Sequence, residues 1–239
     1  MPHTVTVIGA TGLVGSHLVR RLARRDIVEE VHVYARSSRP VALPPGIQWH
    51  PFPELDYFGD VYARPGMIER MAAVIAGVLA PGDIFLSCLG TTRRRAGSAE
   101  RFRFVDFGVN AAFARAARDV GYERYGLVSS VGADPGSRFL YPRVKGELEG
   151  YVRDLGFETV RIYRPGVLRG ERRERRFGES LTAQLAGAIA RVFPGVAETS
   201  YASIGAETVA AAMLEGALSI GGAAEVFENS DIQRLVSYE

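Results

Sequence analysis

The chain has 239 residues, of which 47% are hydrophobic and 23% charged, and its net charge is +2. It is long enough to bury a full core, and it is too nearly neutral to indicate a nucleic-acid or membrane partner. The first residues form a strand pattern rather than a cleavable leader, and no apolar run reaches the roughly 18 residues of a membrane span, so we expect a cytoplasmic protein. The single cysteine, Cys88, excludes an internal disulfide, and the four histidines lack metal-ligand spacing, so we expect no metal site.

A glycine-rich turn separates the first predicted strand, Thr4 to Ile8, from a predicted helix over Leu13 to Leu22. Its pattern is G-x-x-G-x-x-G. Gly9 would permit the turn, Gly12 would let the backbone approach a pyrophosphate, and Gly15 would let the helix pack close to the strand. Because the pattern follows the first strand and opens a helix, it favours dinucleotide binding over an ordinary turn.

The second predicted strand, Val31 to Ala35, ends in Arg36 rather than in an acidic residue. An acidic residue there would accept the ribose 2′-hydroxyl of NAD, whereas arginine can hold a 2′-phosphate with two hydrogen bonds. The sequence therefore favours NADP(H), with NAD(H) as the alternative. The competing interpretation is a surface arginine in an arginine-rich protein.

The middle of the chain predicts a third strand over Ile47 to His50, limited by nearby prolines, and a helix over Met67 to Leu79. The fourth strand, Ile84 to Ser87, leads into Cys88, which we interpret as a small buried filler rather than a nucleophile. The basic cluster Arg93 to Arg95 follows this loop.

The rest of the chain continues to alternate strands with helices, which predicts a parallel, doubly wound sheet with helices on both faces. We expect a single domain over residues 1–239, with residues 165–239 forming a small substrate-side region. The predicted elements are a helix from Ser98 to Val120, a strand from Tyr125 to Ser130, a helix over residues 139–154, a strand from Glu158 to Tyr163, helices over Glu179 to Val192 and Ala206 to Leu218, and a strand near Val226 and Phe227.

Lys145 is the only lysine among the 29 basic residues of the chain. It follows Tyr141 by four residues, which places the phenol and the ammonium on one face of the predicted helix. A lysine supplies a compact charge with a movable pKa, which arginine cannot. The alternative is a lysine that survives by chance on a solvated face.

Four segments together resemble the short-chain dehydrogenase/reductase superfamily, and its atypical subgroup that includes the human Tat-interacting tumour suppressor. They are GATGLVG at 9–15, CLGTTRRRAG at 88–97, SSVGADPGSRFLYPRVKGELE at 129–149 and RPGVLRGERRERR at 164–176.

The resemblance implies a Rossmann-type fold and an active site made of Ser130, Tyr141 and Lys145. Ser130 would orient a substrate oxygen, and Tyr141 would act as acid or base. Lys145 would favour the phenolate and bind the nicotinamide ribose. The expected cofactor-binding residues are Gly9, Thr11, Gly12, Leu13, Val14, Gly15, Arg36, Leu89, Gly90, Lys145 and Val167.

The sequence departs from the superfamily pattern at two positions. Asp106 stands where many members have an asparagine that supports a proton relay, and Pro51 stands where an adenine-binding aspartate is common. The choice of Ser130 over Ser129 is also open, because adjacent strand residues face opposite sides of a sheet.

Three functions fit these features. We expect an NADP(H)-dependent oxidoreductase that acts on a small carbonyl or alcohol. The alternatives are a cofactor-binding sensor or interaction protein with little turnover, and a nucleotide-sugar epimerase or dehydratase, which is less favoured because only about seventy residues follow the sixth strand. The arginine clusters at 93–95 and 169–176 are either solvated or close over an anionic small-molecule substrate. No feature predicts the oligomeric state.

Overall fold

The computed structural model describes residues 2–36, 44–52, 66–169, 202–219 and 224–236. Within them, seven parallel strands form one sheet in the order β3-β2-β1-β4-β5-β6-β9, and β7 pairs with β8 separately. The strands are β1 (His3–Ile8), β2 (Val28–Ala35), β3 (Ile47–Pro51), β4 (Ile84–Ser87), β5 (Arg124–Val128), β6 (Thr159–Arg164), β7 (Leu168–Arg169), β8 (Ile204–Gly205) and β9 (Ala224–Glu228).

Helices cover both faces of this sheet. They are α1 (Leu13–Leu22), α2 (Met67–Ala76), α3 (Arg93–Ala96), α4 (Ala99–Arg103), a π-helical turn (Phe104–Val109), α5 (Asn110–Asp119), α6 (Leu140–Asp154), α7 (Ala206–Leu218) and α8 (Asn229–Val236). Among the residues described here, no helix is long and apolar enough to cross a bilayer.

The central strands are buried on both faces, as a parallel sheet between two helical layers requires. One core packs beneath α2, α5 and α6 and includes Phe85, Phe113 and Leu148. The other packs beneath α1 and α7 and includes Leu18 and Met213. These two cores and the parallel sheet confirm the predicted doubly wound α/β fold.

The strand order places a switch point between β1 and β4. The chain builds β2 and β3 on one side of β1 and then returns to add β4, β5 and β6 on the other side. In such sheets, ligands bind in the crevice outside the carboxyl ends of the strands at this point. The loops that follow β1, β4, β5 and β6 therefore surround the candidate site.

The long helix predicted from Ser98 to Val120 is confirmed as a continuous helical segment from Ala99 to Asp119, but its middle is the π-helical turn Phe104–Val109. The short helix α3, just before this segment, was not predicted. The Asn110 side-chain amide donates to the backbone carbonyls of Val105 at 3.1 Å and Asp106 at 3.3 Å, which stabilises the wider turn.

Other elements differ at their ends. The helix predicted from Met67 to Leu79 ends at Ala76, and the fifth strand ends at Val128, before the paired serines. Pro51 is the last residue of β3, which pairs along its whole length with β2 and is the outermost strand of the described sheet on that side. The helix predicted over Glu179 to Val192 lies outside the described residues.

Candidate functional site

The turn after β1 depends on glycines for steric reasons. Gly9 has a φ of 77°, and a Cβ there would overlap the carbonyl of Cys88 and lie 2.5 Å from the backbone nitrogen of Leu89. A Cβ on Gly15 would overlap the carbonyl oxygen of Gly9 and lie 2.9 Å from the Cα of Ala10. Gly9 therefore permits the turn against the β4 loop, and Gly15 permits the close approach of α1, as the sequence predicted.

The first turn of α1 presents backbone rather than side chains to the crevice. Gly12 is its N-cap and makes no side-chain cap, and Thr11 and Gly12 are exposed. A Cβ on Gly12 would lie 3.1 Å from the carbonyl oxygen of Gly9, so a larger residue would crowd the turn. Leu13 is half-buried and Val14 is buried, so both anchor the turn to the core. A helix start without a side-chain cap fits the pyrophosphate of a dinucleotide.

The loop after β4 is fixed by Asn110, which the sequence analysis did not single out. Its side chain is fully buried, accepts a hydrogen bond from the Ser87 hydroxyl at 2.5 Å and donates to the Leu89 carbonyl at 3.3 Å. Asn110 therefore joins the end of β4 to the start of α5. A buried asparagine in a helix that is otherwise rich in alanine was the available signal.

Cys88 lies in the same loop, and its thiol has low nucleophilic reactivity at neutral pH. Its Sγ is 3.8 Å from the Sδ of Met213, and burial raises the pKa of the thiol to about 12. A thiol that stays protonated at neutral pH is a poor nucleophile, in agreement with its interpretation as a filler.

Tyr141 and Lys145 lie one turn apart on α6, as predicted. Lys145 is buried, and its Nζ lies 2.9 Å from Oδ1 of Asp106, which is also buried. Tyr141 is 39% exposed, and its ring packs against Phe102 with 5.7 Å between the ring centroids. The Tyr141 side chain is thus accessible to solvent, whereas the Lys145 ammonium is buried. The alternative of a lysine on a solvated face is excluded.

The two serines after β5 have different environments. The Ser129 hydroxyl donates to Oε1 of the buried Glu149 at 2.5 Å, whereas the Ser130 hydroxyl donates to the backbone carbonyl of Val131 at 3.2 Å. Ser129 is therefore committed to a buried carboxylate. Ser130 makes only a weak local contact among those found here, so it stays our choice for a substrate contact.

Glu149 joins three segments around the site. Besides Ser129, it accepts two hydrogen bonds from Arg164 at 2.6 and 2.9 Å and one from Arg153 at 3.2 Å. The hydrogen bonds that Arg164 donates to the carboxylates of Glu149 and Glu228 raise the pKa of Arg164. Glu149 thus holds the end of β5, the helix α6 and the end of β6 together.

The loop after β6 contains Val167, which is buried and accepts a hydrogen bond from the backbone N–H of Ile204 at 2.9 Å. Asn229, fully buried at the start of α8, accepts from the Gly166 N–H at 2.9 Å and donates to the Ala202 carbonyl at 3.0 Å. These contacts were missed because they join residues 63 and 27 positions apart in the sequence.

The arginines singled out in the sequence follow the carboxyl ends of β2 and β4, or lie in the segment after β6. Arg36 is exposed directly after β2, and Arg93 to Arg95 form the exposed face of α3 after the β4 loop. Arg169 donates to the Ser203 carbonyl at 3.3 Å. The rest of the cluster at 169–176 lies outside the described residues.

Two of the histidines come together, although their spacing does not indicate it. His32 on β2 and His50 on β3 share a hydrogen bond of 2.9 Å between Nδ1 and Nε2, and the other nitrogen of His32 contacts Glu30 at 3.1 Å. No cluster of three or more metal-ligating side chains occurs among the described residues.

Comparison with known proteins identifies similar sequences and folds. Residues 5–191 match the NAD dependent epimerase/dehydratase family. The protein fmp52, mitochondrial, of Aspergillus niger is 35% identical over 193 residues, covering 80% of this chain and 78% of that protein. The fmp52 protein of Aspergillus fumigatus is 38% identical with the same coverage.

Two solved structures share the fold. UDP-glucose 4-epimerase of Thermotoga maritima, solved with UDP-glucose, has a TM-score of 0.64 at 15% identity and covers 98% of this chain and 82% of its own. The WbmH enzyme of Bordetella bronchiseptica, solved with NAD+, has a TM-score of 0.64 at 12% identity and covers 95% and 75%. At these identities both structures show a shared fold.

The relatives correct the expected location. The fmp52 proteins of Aspergillus niger, Aspergillus fumigatus and Candida albicans are all named mitochondrial. The expectation of a cytoplasmic protein is therefore wrong. It rested on the apparent lack of a leader, which is an argument from absence.

Proposed function

Because the chain belongs to the NAD-dependent epimerase/dehydratase family, we propose that it is an NADP(H)-dependent oxidoreductase acting on a small carbonyl or alcohol. The observation that carries this proposal is the pairing of an accessible Tyr141 with a buried Lys145 one turn below it on α6. The nicotinamide, when bound, supplies or accepts the hydride. Tyr141 gives a proton to the substrate oxygen or removes it, and Ser130 orients that oxygen.

The cofactor would lie along the crevice on backbone groups. The glycine turn and the first turn of α1 would bind the pyrophosphate, and Leu89, Gly90 and Val167 would border the nicotinamide side. Lys145 has donors left over after its contact with Asp106, and these would bind the ribose hydroxyls. Support comes from the steric demand for glycine at 9, 12 and 15, which keeps this surface free of side chains.

The preference for NADPH is tested by Arg36→Ala. We expect the Kd for NADPH to rise by about 10- to 100-fold and the Kd for NADH to stay constant, since a charge-assisted hydrogen-bonded contact is worth about 1.5–3 kcal/mol. Arg24→Ala is the matched control, because Arg24 is also exposed but follows the far end of α1. Equal affinity of the unmodified protein for the two cofactors would refute the preference.

The enzymatic role is tested by Tyr141→Phe. We expect NADPH binding to survive, because phenylalanine keeps the ring that packs against Phe102, and carbonyl-dependent NADPH oxidation to fall by at least about 100-fold. A sensor with little turnover would show cofactor binding without oxidation across a broad carbonyl screen, and the variant would then behave like the unmodified protein.

The second candidate is nucleotide-sugar epimerisation or dehydration, which the family match favours. An epimerase returns its hydride to the same sugar in each cycle, so NADPH or NAD+ would not be consumed. Incubation with UDP-sugars and chromatographic analysis of the products distinguishes the two candidates. Conversion of a UDP-sugar without net cofactor turnover would replace the oxidoreductase proposal.

We also propose that the substrate carries a phosphate or carboxylate. The exposed arginines of α3 follow the β4 loop directly, so they border the same crevice and can pair with an anion. The KM for an anionic substrate should then rise with ionic strength more steeply than the KM for a neutral analogue.

A further inference from the structure

The carboxylate of Asp106 is the nearest charged partner of Lys145. Both side chains are almost completely buried, at 1% and 5% exposure, and their charged atoms lie 2.9 Å apart. Asp106 also accepts a hydrogen bond from the backbone N–H of Thr91 at 2.9 Å. Gly90 covers the pair, since a Cβ there would lie 3.4 Å from Oδ1 of Asp106 and 3.5 Å from Nζ of Lys145. The ammonium is therefore fixed before any ligand binds.

The placement of Asp106 depends on the π-helical turn. Asp106 lies in the middle of Phe104–Val109, and this turn packs against α6, which carries Lys145. Asn110 holds the widened turn through the carbonyl of Asp106 itself. Such turns occur frequently at functional sites because they redirect a side chain. Here the redirected side chain is an acid that meets the only lysine of the chain.

The pairing with Asp106 changes the electrostatic effect of Lys145 on neighbouring groups. A lone ammonium within about 4–6 Å of a phenol would stabilise the phenolate, but an ammonium paired with a carboxylate has no net charge and a weaker field. The other ionisable groups near Lys145 on its helix are Tyr141 and Glu149, and Glu149 is bound to Arg164. Burial lowers the pKa of Lys145, but the charges of Asp106, Tyr141 and Glu149 outweigh burial, and the net shift is upward.

We propose that Asp106 is a positioning residue that fixes Lys145 and offsets its charge, which weakens the electrostatic support that the ammonium gives to a Tyr141 phenolate. This rests on the proposed oxidoreductase function. In reduction, the carbonyl carbon receives the hydride and the carbonyl oxygen takes the phenol proton. The alcohol leaves, and water returns a proton to the phenolate. The reverse reaction requires a phenolate, which the neutral ion pair stabilises poorly.

Two spectroscopic titrations test the proposal without turnover. Because Lys145 is the only lysine, protein labelled with 15N and 13C in lysine gives a single side-chain NMR signal. The difference in absorbance between a protein variant and the same variant carrying Tyr141→Phe reports the Tyr141 phenolate alone. Burial raises the pKa of Tyr34, Tyr122, Tyr125, Tyr151 and Tyr163, so these phenols ionise later.

We expect Asp106→Asn to lower the titration midpoints of both the Lys145 signal and the Tyr141 phenolate by about one pH unit or more. Asp106→Glu should restore both toward the values of the unmodified protein. Glu147→Gln is the matched control, because Glu147 lies on the same helix but pairs with Arg103 at 2.5 Å, and it should move neither midpoint.

A phenolate midpoint that is the same in the unmodified protein and in Asp106→Asn overturns the proposal, whatever the activity. If Asp106→Asn does not fold, titration of the unmodified protein still tests the proposal. A Lys145 titration midpoint at or below the ordinary lysine value of about 10.4 would overturn the proposal. Absence of turnover on every carbonyl would refute the proposed function and leave these titrations unaffected. The two failures are therefore distinguishable.

Discussion

Replacement of Glu149 by glutamine should destabilise the protein more than the same change at Glu147 on the same helix. Glu149 is 1% exposed and accepts hydrogen bonds from Ser129, Arg153 and Arg164. Glutamine has nearly the same shape, so it removes the charge and one acceptor without creating a cavity. Its NH2 group would face one of these donors, which leaves that donor unsatisfied.

The magnitude follows from what remains around Arg164. Removing one partner of a buried ion pair costs about 3–5 kcal/mol. Arg164 keeps its contact with Glu228 at 2.8 Å, and its side chain is 21% exposed to water, so the lower end applies. We therefore expect a loss of about 3 kcal/mol, which for a chain of this size lowers Tm by about 6–12 °C.

Urea unfolding followed by circular dichroism measures this loss, with Tm as a second measure. Glu147→Gln is the control, since its ion pair with Arg103 is partly exposed, at 45% and 28%, and should be worth less than about 1 kcal/mol. If Glu149→Gln loses no more stability than Glu147→Gln, the buried network does not hold the three segments together, and the reasoning fails.

Two further predictions concern glycine and cysteine. Gly15→Ala should abolish NADPH binding in a fluorescence titration and lower Tm, because the added methyl group overlaps the Gly9 carbonyl. In the control Gly150→Ala, the added methyl group meets nothing within 4 Å and should stabilise α6 by about 0.5–1 kcal/mol. Equal effects of the two substitutions would contradict the packing argument. Cys88, whose pKa burial raises to about 12, should resist iodoacetamide at pH 8 in the native protein and react after unfolding, as mass spectrometry would show. Because the pKa of the thiol is higher in the folded than in the unfolded protein, its contribution to stability is fully present below the unfolded pKa of about 8.5 and is lost as pH rises toward 12. Comparison with Cys88→Ala isolates this contribution. A gain of stability over this pH range that is due to Cys88 would contradict its burial.

Local patterns in the sequence predicted the elements that local chemistry determines. The predicted bounds of α1, β4 and α7 agree with the structure, because glycine or a polar residue marks their ends and apolar periodicity marks their length. The steric roles of Gly9 and Gly15 were also predictable, because a turn between a strand and a helix in this fold leaves no room for a side chain there.

Features that depend on distant contacts were not predictable in the same way. The π-helical turn requires Asn110 to reach several carbonyl groups, and nothing in the periodicity of residues 98–120 shows this. The contrast between Ser129 and Ser130 depends on Glu149, twenty residues further along the chain. The pairing of His32 with His50 depends on the register of β2 and β3, which a sequence with prolines on both sides of β3 does not specify.

Three buried polar side chains to which the sequence analysis assigned no role have a common physical role. Asn110 fixes the loop after β4, Glu149 fixes the ends of β5 and β6, and Asn229 fixes the loop after β6. A buried polar group is stable only when its hydrogen bonds are made, so each loop has one favoured conformation without a ligand. Binding then requires little ordering of these loops, which preserves affinity for the ligand. The motif residues would therefore contact the cofactor and substrate, whereas affinity also depends on side chains that contact neither.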